Sequence, residues 1–401
     1  MDFTSHEYTL ETIVKPSFPQ ATDIRILENK KIQHLINFSS HITHLTVEFR
    51  QNGETKIEKL VLKSPLTRPL EHSFCRELKL YYKEQQIYNL MIPRLHKIPT
   101  VSHILPVHYL VKDEGIFVLE DLAAKGYSTP PKRFELAESR CILRAMAKFH
   151  AATHKVHRQS PELLQEAAFH RTIALDTVDI FKKPWQPVIC ELLERKNGTH
   201  LVPKVEAAMR FLGQDNRALY SMVQPAHFKF IALNHGDMRK ENMMVKYAQD
   251  GQIENLKFID FQACWWSTPA HDFLFYLIHS VPIEVVDGQI DTLVDAYWQY
   301  LQEALLQWDC SVDYEKSDFL ADIEKLHFMF VIWLPGWCVI NCSIIPEEVR
   351  NISMLPDKEC FRLLSKCLDD AQFAEALWGW LLYCEKIEIF DILEKMISKP
   401  L

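Results

Sequence analysis

Three residues with hard oxygen donors lie close together in Leu233–Gln262, LNHGDMRKENMMVKYAQDGQIENLKFIDFQ. Asp237 follows His235-Gly236, Asn242 comes five positions later, and Asp260 ends the next apolar run. Met243–Tyr247 and Ile253–Phe261 are β-prone, and Asp250-Gly251 between them is a strong two-residue hairpin signal. With that turn, Gln249 faces Gln252, and counting outward sets Asn242 opposite Ile259. The Asn242 carboxamide and the Asp260 carboxylate then emerge at the same open end of the hairpin. Two such ligands, completed by waters and phosphate oxygens, make a Mg²⁺ site. A third carboxylate in the loop just before, Asp237, is placed to orient a substrate hydroxyl and take its proton. The segment reads as a phosphoryl-transfer centre. Either piece alone would be a common accident: His-Gly-Asp is short, and Asp-Gly hairpins occur in every mixed fold.

The elements upstream supply the other half. His41–Arg50 and Lys56–Lys63 are β-prone runs joined across Asn52-Gly53. A helix is expected over Phe74–Leu90, and a second hairpin pairs Val107–Lys112 with Ile116–Leu119 around Asp113-Glu114-Gly115. From Arg133 onward long amphipathic segments dominate, among them Phe134–His150, Val202–Phe211, Thr292–Leu306 and Phe361–Leu393. The expected fold is α+β and bilobal: a small β-rich N-terminal nucleotide-binding lobe over residues 1–119, a hinge over 120–125, and a large, mainly helical catalytic and substrate-binding lobe over 126–401. Lys63 ends its strand where an inward ammonium can hold nucleotide phosphates, and Glu77 on the following helix is expected to orient it. At the lobe junction, backbone groups of Glu120 and Leu122 can pair with an adenine edge.

Composition narrows the classes. The chain has 401 residues, 48% hydrophobic and 24% charged, with a net charge of −8 and no basic run, which argues against a nucleic-acid binder. The start, MDFTSHEYTLETIVKPSF, shows no apolar signal core, and Leu326–Ile340 is broken by Pro335-Gly336 and too short for a membrane span. None of the ten cysteines forms a Cys-x-x-Cys pair. Buried free thiols, no cysteine-bound metal and a cytoplasmic location are therefore expected, with no obligate protein partner evident.

At this point the sequence resembles the ecdysteroid kinase-like proteins of insects, within the wider choline kinase and aminoglycoside phosphotransferase superfamily. The resemblance rests on LVLK ending at Lys63, FCRELKLYY with Glu77, FVLEDLAAKGY at Phe117–Tyr127, and AMAKFHAAT at Ala145–Thr153. It continues through HGDMRKENMM at His235–Met244, FIDFQ, and PAHDFLFYL at Pro269–Leu277. The Asp-Phe-Gln ending separates this group from protein kinases. The resemblance implies a kinase-like fold, ATP with Mg²⁺ as donor, and a small hydroxylated acceptor, an ecdysteroid in the best-known members. It also implies Asp237 as base, Asn242 and Asp260 as metal ligands, Lys63 on phosphate with Glu77 orienting it, and Asp272 holding the catalytic loop through backbone hydrogen bonds.

Two departures stand out. The family's phosphate-covering turn normally carries glycine, whereas Leu35-Ile36-Asn37-Phe38-Ser39-Ser40 has none, leaving the hydroxyls and backbone N–H groups of Ser39 and Ser40 as donors. Arg239-Lys240-Glu241 replaces an aromatic and neutral polar residues; its cations either face transferred phosphate or are solvated. Three functions remain open: a kinase for an ecdysteroid or similar lipophilic alcohol; a same-fold kinase for choline, an aminosugar or a xenobiotic alcohol; and a non-catalytic lipophile-binding protein. Six tryptophans (Trp265, Trp266, Trp333, Trp337, Trp378 and Trp380) fit core packing better than a substrate cage.

Overall fold

A computed structural model describes residues 6–32, 40–66, 75–76, 78–112, 115–170, 175–214, 223–310, 312–342 and 357–398. The chain forms two compact units that interleave in sequence. One comprises Met1–Pro131, Lys148–Thr172 and Glu241–Trp265; the other Lys132–Ala147, Ile173–Lys240 and Trp266–Leu401.

The first unit is built on a five-stranded antiparallel sheet in the order β1-β2-β3-β5-β4. Its strands are β1 (Thr22–Lys31), β2 (Ser40–Gln51), β3 (Glu54–Pro65), β4 (His108–Lys112) and β5 (Ile116–Glu120). Gln51 pairs with Glu54, so Asn52-Gly53 is the expected two-residue turn, with positive φ at both positions. Alternating residues of β2 and β3, including Leu45, Val47, Leu60 and Leu62, pack with Phe18 and Val118 in an apolar cluster on one sheet face. The edge strand β1 was not foreseen. Its sequence TDIRILENKK buries Ile26 alone, so little hydrophobic alternation marks it.

The expected helix over Phe74–Leu90 is interrupted: Cys75 and Arg76 are helical, and Leu78 and Lys79 form a turn. Lys79 takes a left-handed conformation at φ 53°, and the helix runs Leu80–Gln86, followed by a π turn over Ile87–Met91. Tyr81 docks it. Its hydroxyl accepts from Leu66 N at 3.3 Å, and its ring lies where a Cβ on Gly115 would come within 2.7 Å. Gly115 has φ +82°, so this tight approach suits glycine alone.

The same unit holds the hairpin Met243–Tyr247/Ile253–Phe258. Its turn is one residue longer than the sequence pattern predicts. Ala248 N donates to Gln252 O at 2.9 Å, and Gly251 N donates to Ala248 O at 3.0 Å, leaving Gln249-Asp250-Gly251 as the loop. A register shift between Lys246 and Tyr247 restores the count, so Met243 pairs with Phe258. The bulge offsets the longer loop and the open end keeps the expected register. Val245 also bridges Ser128, and Phe258 N donates to Ile104 O at 2.9 Å, which ties the hairpin into this unit.

The second unit is mainly helical. Ala270–Ser280 is its buried centre, with every residue except Phe275 out of solvent. Ile283–Gln307, Lys316–Leu326 and Met329–Asn341 pack against it, and Ala371–Lys386 packs on the first and last of these. The apolar run around Pro335 forms the buried helix Met329–Asn341. Among the described residues no single helix is long and apolar enough to cross a membrane. Trp337 and Trp380 are fully buried, as core residues should be, and all ten cysteines are free thiols, seven of them buried. Antiparallel sheet in the N-terminal part and helices beyond it give the expected α+β class.

Candidate active site

Lys63 lies near the end of β3, opposite Ile42 on one side and Phe117 on the other. Its side chain is buried, and a buried ammonium must be paired. It is paired twice: Nζ is 2.6 Å from Glu84 Oε2 and 2.5 Å from Asp260 Oδ1. Glu77, the expected partner, lies outside the described residues; the helical carboxylate on Lys63 is that of Glu84. Glu84 is seven residues, about two helical turns, beyond Glu77, so both fall on one face of the expected helix. Spacing alone could not choose between them. The signal for it is apolar context: Glu84 sits within LKLYYKEQQIYNL, which has to pack inward.

Tyr88, one turn beyond Glu84, fixes that geometry. Its ring lies 5.6 Å from Phe117 and 6.2 Å from Phe261. Phe149 continues the stack at 6.1 Å from Phe261 and 6.2 Å from Phe258. The apolar layer therefore joins the elements that carry Lys63's neighbour Phe117, Glu84 and Asp260. Sequence reading assigned no role to Tyr88, Phe149 or Phe261.

Asp260 adopts φ 67°, ψ 60°, a left-handed conformation uncommon outside glycine. Gln262 Nε2 donates to its Oδ2 at 3.0 Å. Ile259 N donates to Asn242 O at 3.0 Å, so Asn242 and Asp260 do leave the same end of the hairpin. The charges are unbalanced, with one buried ammonium against the buried Glu84 and the partly exposed Asp260. Burial pushes the Glu84 carboxyl upward, opposed by Lys63 and reinforced by Asp260. Burial draws the Lys63 ammonium down, but Asp260 and Glu84 override it and hold it above the ordinary lysine range. A divalent cation at Asp260 and Asn242 would offset the surplus negative charge, so the donor set fits Mg²⁺.

At the expected hinge, Glu120 N donates to Val107 O at 2.9 Å, and the Glu120 carboxylate accepts from Val107 N, Lys125 Nζ and Lys257 Nζ. Burial alone would raise this carboxyl; Lys125, the Val107 N–H and Lys257 outweigh it and hold it below the usual range. Leu122 O accepts from Lys125 N and Tyr127 N, each at 3.0 Å. Ser40 is the buried first residue of β2, and residues 35–39, including Ser39, lie outside the described residues.

The second unit carries Asp237. His235 N and Gly236 N donate to the two oxygens of Asp272 at 2.6 and 2.9 Å, and Asp272 N donates to Asn234 Oδ1 at 3.1 Å. Ser280 Oγ donates to Met238 O at 3.4 Å. The helix Ala270–Ser280 thus grips the loop on both sides of Asp237. Asp272 has the loop-holding role expected of it, and His235 is wholly buried, in keeping with a bracing part. The Asp237 carboxylate itself is partly open to solvent, with Arg239 Nε 3.1 Å from its Oδ2.

Residues 35–309, more than two thirds of the chain, match the ecdysteroid kinase-like family. The chain belongs to that family. Membership makes it a kinase-like protein of the small-molecule phosphotransferase type, on the α+β kinase-like fold. No curated protein matches the chain. The family match covers Lys63, Glu84, Asp237, Asn242, Asp260 and Asp272, and it ends at residue 309, before the helices beyond Lys316.

Proposed function

We propose that this member of the ecdysteroid kinase-like family transfers the γ-phosphoryl group of ATP to a hydroxyl of an ecdysteroid or similar small lipophilic alcohol. The observation that carries the reading is the buried ammonium of Lys63 held between Glu84 and Asp260. A lysine in that setting is held rigid with its charge retained, as phosphate binding requires.

In this reading Asn242 and Asp260 would hold Mg²⁺, which would supply positive charge against the negative charge of the phosphates. Lys63 holds the nucleotide phosphates, with Glu84 keeping its ammonium in place. Leu35–Ser40 covers the phosphates, with Ser39 and Ser40 as donors. The Glu120 carbonyl and the Leu122 N–H meet the adenine edge, and among the described residues no hydrogen bond engages that N–H. Asp237 orients the acceptor hydroxyl and takes its proton. Asp272 keeps Asp237 in place by fixing the backbone ahead of it. Residues 1–119 serve as the nucleotide-binding lobe, 120–125 as the hinge and 126–401 as the catalytic and acceptor-binding part, in a protein acting in the cytoplasm without an obligate partner.

The test is incubation with Mg-ATP and a panel of steroid, choline, aminosugar and plant-derived alcohols, scanned by mass spectrometry for the gain of one phosphate. Phosphorylation of a lipophilic sterol alcohol supports the reading, and phosphorylation of choline or an aminosugar alone redirects the substrate class. Transfer to no acceptor, together with no thermal stabilisation by Mg-ATP, would leave a non-catalytic lipophile-binding protein. Asp260→Ala should abolish the Mg-ATP stabilisation.

A further inference from the structure

Arg239 is two residues past the assigned base, and its backbone turns back on it. Arg239 N donates to Asp237 O at 2.9 Å, and Arg239 Nε meets Asp237 Oδ2 at 3.1 Å. Both side chains are partly exposed, 18% for Arg239 and 22% for Asp237, so a substrate can reach either. Beneath them the helix Ala270–Ser280 presents His279, fully buried, its ring 4.3 Å from that of Phe275. Burial holds this imidazole well below its usual range, and the positive charges of Arg239 and Arg133 lower it further. His279 is therefore neutral beneath the guanidinium and sets no positive charge against it.

A cation on the base has a cost, because it occupies a carboxylate oxygen that a substrate hydroxyl would use. A second use for the guanidinium follows from reach. A base accepts a proton from a hydroxyl oxygen at about 2.6–3.2 Å, and that oxygen attacks phosphorus from about 3–3.5 Å. The transferring group must therefore pass within roughly 6–7 Å of the Asp237 oxygens. A guanidinium already in contact with Oδ2 lies inside that radius. The two effects differ greatly in size. In a loose phosphoryl-transfer transition state proton removal contributes late and little, whereas an arginine on the equatorial oxygens is worth about 10³–10⁵ in rate.

We propose that Arg239 is a catalytic residue: parked on Asp237 in the resting protein, its guanidinium turns to the oxygens of the transferring phosphoryl group. The acceptor oxygen forms the new bond to phosphorus as the bond to the ADP oxygen breaks, and the acceptor's proton passes to Asp237 Oδ2, which Arg239 vacates. The inference rests on the phosphotransferase reading above and adds to it a charge-neutralising group supplied by this chain's own departure at position 239.

The test compares wild type, Arg239→Lys and Arg239→Ala. The readout is phosphate transfer to whichever acceptor the panel yields or, with none, inorganic phosphate released from Mg-ATP by water. Arg239→Ala should lower turnover about a thousandfold, with Mg-ATP thermal stabilisation shifted less than about threefold in apparent affinity. Arg239→Lys should keep part of the rate. Added guanidinium ion should restore rate to Arg239→Ala, an effect that a merely structural arginine would not show, and replacing ATP with its γ-thio analogue should slow wild type more than Arg239→Ala. An active wild type with an Arg239→Ala rate unchanged, or lost along with Mg-ATP stabilisation and beyond guanidinium rescue, overturns the inference alone. A wild type silent in both readouts overturns the phosphotransferase reading and this inference together.

Discussion

Ile259 N donates a 3.0 Å hydrogen bond to Asn242 O, and this one contact closes the open end of a hairpin whose loop starts seven residues after Asn242 and ends eight before Ile259. It sets the Asn242 side chain and the following Asp260 side chain at a common edge. Register there depends on two local features, the loop Gln249–Gly251 and the shift between Lys246 and Tyr247.

That relationship predicts contrasting outcomes at its two ends. Gly251 has φ +80° with open space around its missing Cβ, so Gly251→Ala should cost only the left-handed backbone penalty, about 1–2 kcal/mol. Mg-ATP stabilisation should survive it. Ile259→Pro removes the N–H given to Asn242 and should abolish Mg-ATP stabilisation. Chemical denaturation and thermal shift with and without Mg-ATP measure both, and retained stabilisation in Ile259→Pro would show that the register does not hold the proposed metal ligands.

The ion triad predicts which glutamate matters. Removing the Lys63 ammonium leaves Glu84 and Asp260 buried against each other, so Lys63→Met should destabilise by about 3–5 kcal/mol, besides ending phosphate transfer. Glu84→Gln keeps the shape but loses a charge-assisted hydrogen bond worth about 1.5–3 kcal/mol, roughly ten- to a hundredfold in rate. Glu77→Gln should leave turnover near wild type. Equal losses at both positions would contradict the assignment to Glu84.

Tyr81 against Gly115 predicts a distant effect on the same triad. A methyl at Gly115 meets the Tyr81 ring at 2.7 Å and also pays a positive-φ penalty. Gly115→Ala should lower stability by about 2 kcal/mol or more and reduce turnover, because the displaced helix carries Glu84. Restoring room with Gly115→Ala/Tyr81→Ala should recover turnover better than stability. A Gly115→Ala protein with full activity would uncouple Tyr81 from the site.

His279 predicts a pH limb of stability. Its folded pKa is depressed by burial and by Arg239 and Arg133, so the unfolded chain binds the proton first as pH falls. Stability from its neutral form is complete above the unfolded value of about 6.5 and is lost as pH falls below it. The slope approaches about 1.4 kcal/mol per pH unit for one proton. His96, His103, His108, His157 and His327 are shifted in the same direction, burial leading in each, and steepen the same limb. Denaturation between pH 7.5 and 5.5 should give a shallower slope for His279→Asn than for wild type; identical slopes would remove His279 from the effect.

Much of the frame was legible because it is local. The Asn52-Gly53 turn needs two positive φ values, and its residues advertise them. Met243–Tyr247 and Ile253–Phe258 carry β-prone side chains around an Asp-Gly pair, whereas Asp272, 37 residues from His235, was legible only through the family resemblance. The hidden parts are those for which sequence offers equivalent choices. On the helix expected from the sequence Glu77 and Glu84 share a face, and a left-handed Lys79 that no propensity rule foresees breaks that helix before Leu80. The edge strand β1 buries only Ile26, with Ile24 half-buried beside it, so its pattern is dominated by polar residues.

The sequence by itself determined the chemistry available: an acid, an amide and an acid at spacings suited to phosphoryl transfer, a lysine on a strand, and hairpins drawn by their turn residues. Those follow from short-range sterics and side-chain type, which neighbouring residues settle among themselves. Only the tertiary structure decided which glutamate meets Lys63, that Asp260 shares that ammonium, and that Arg239 folds back on Asp237. The partners of Lys63 stand 21 and 197 residues away along the chain, and a buried charge takes whichever partner the packed core delivers.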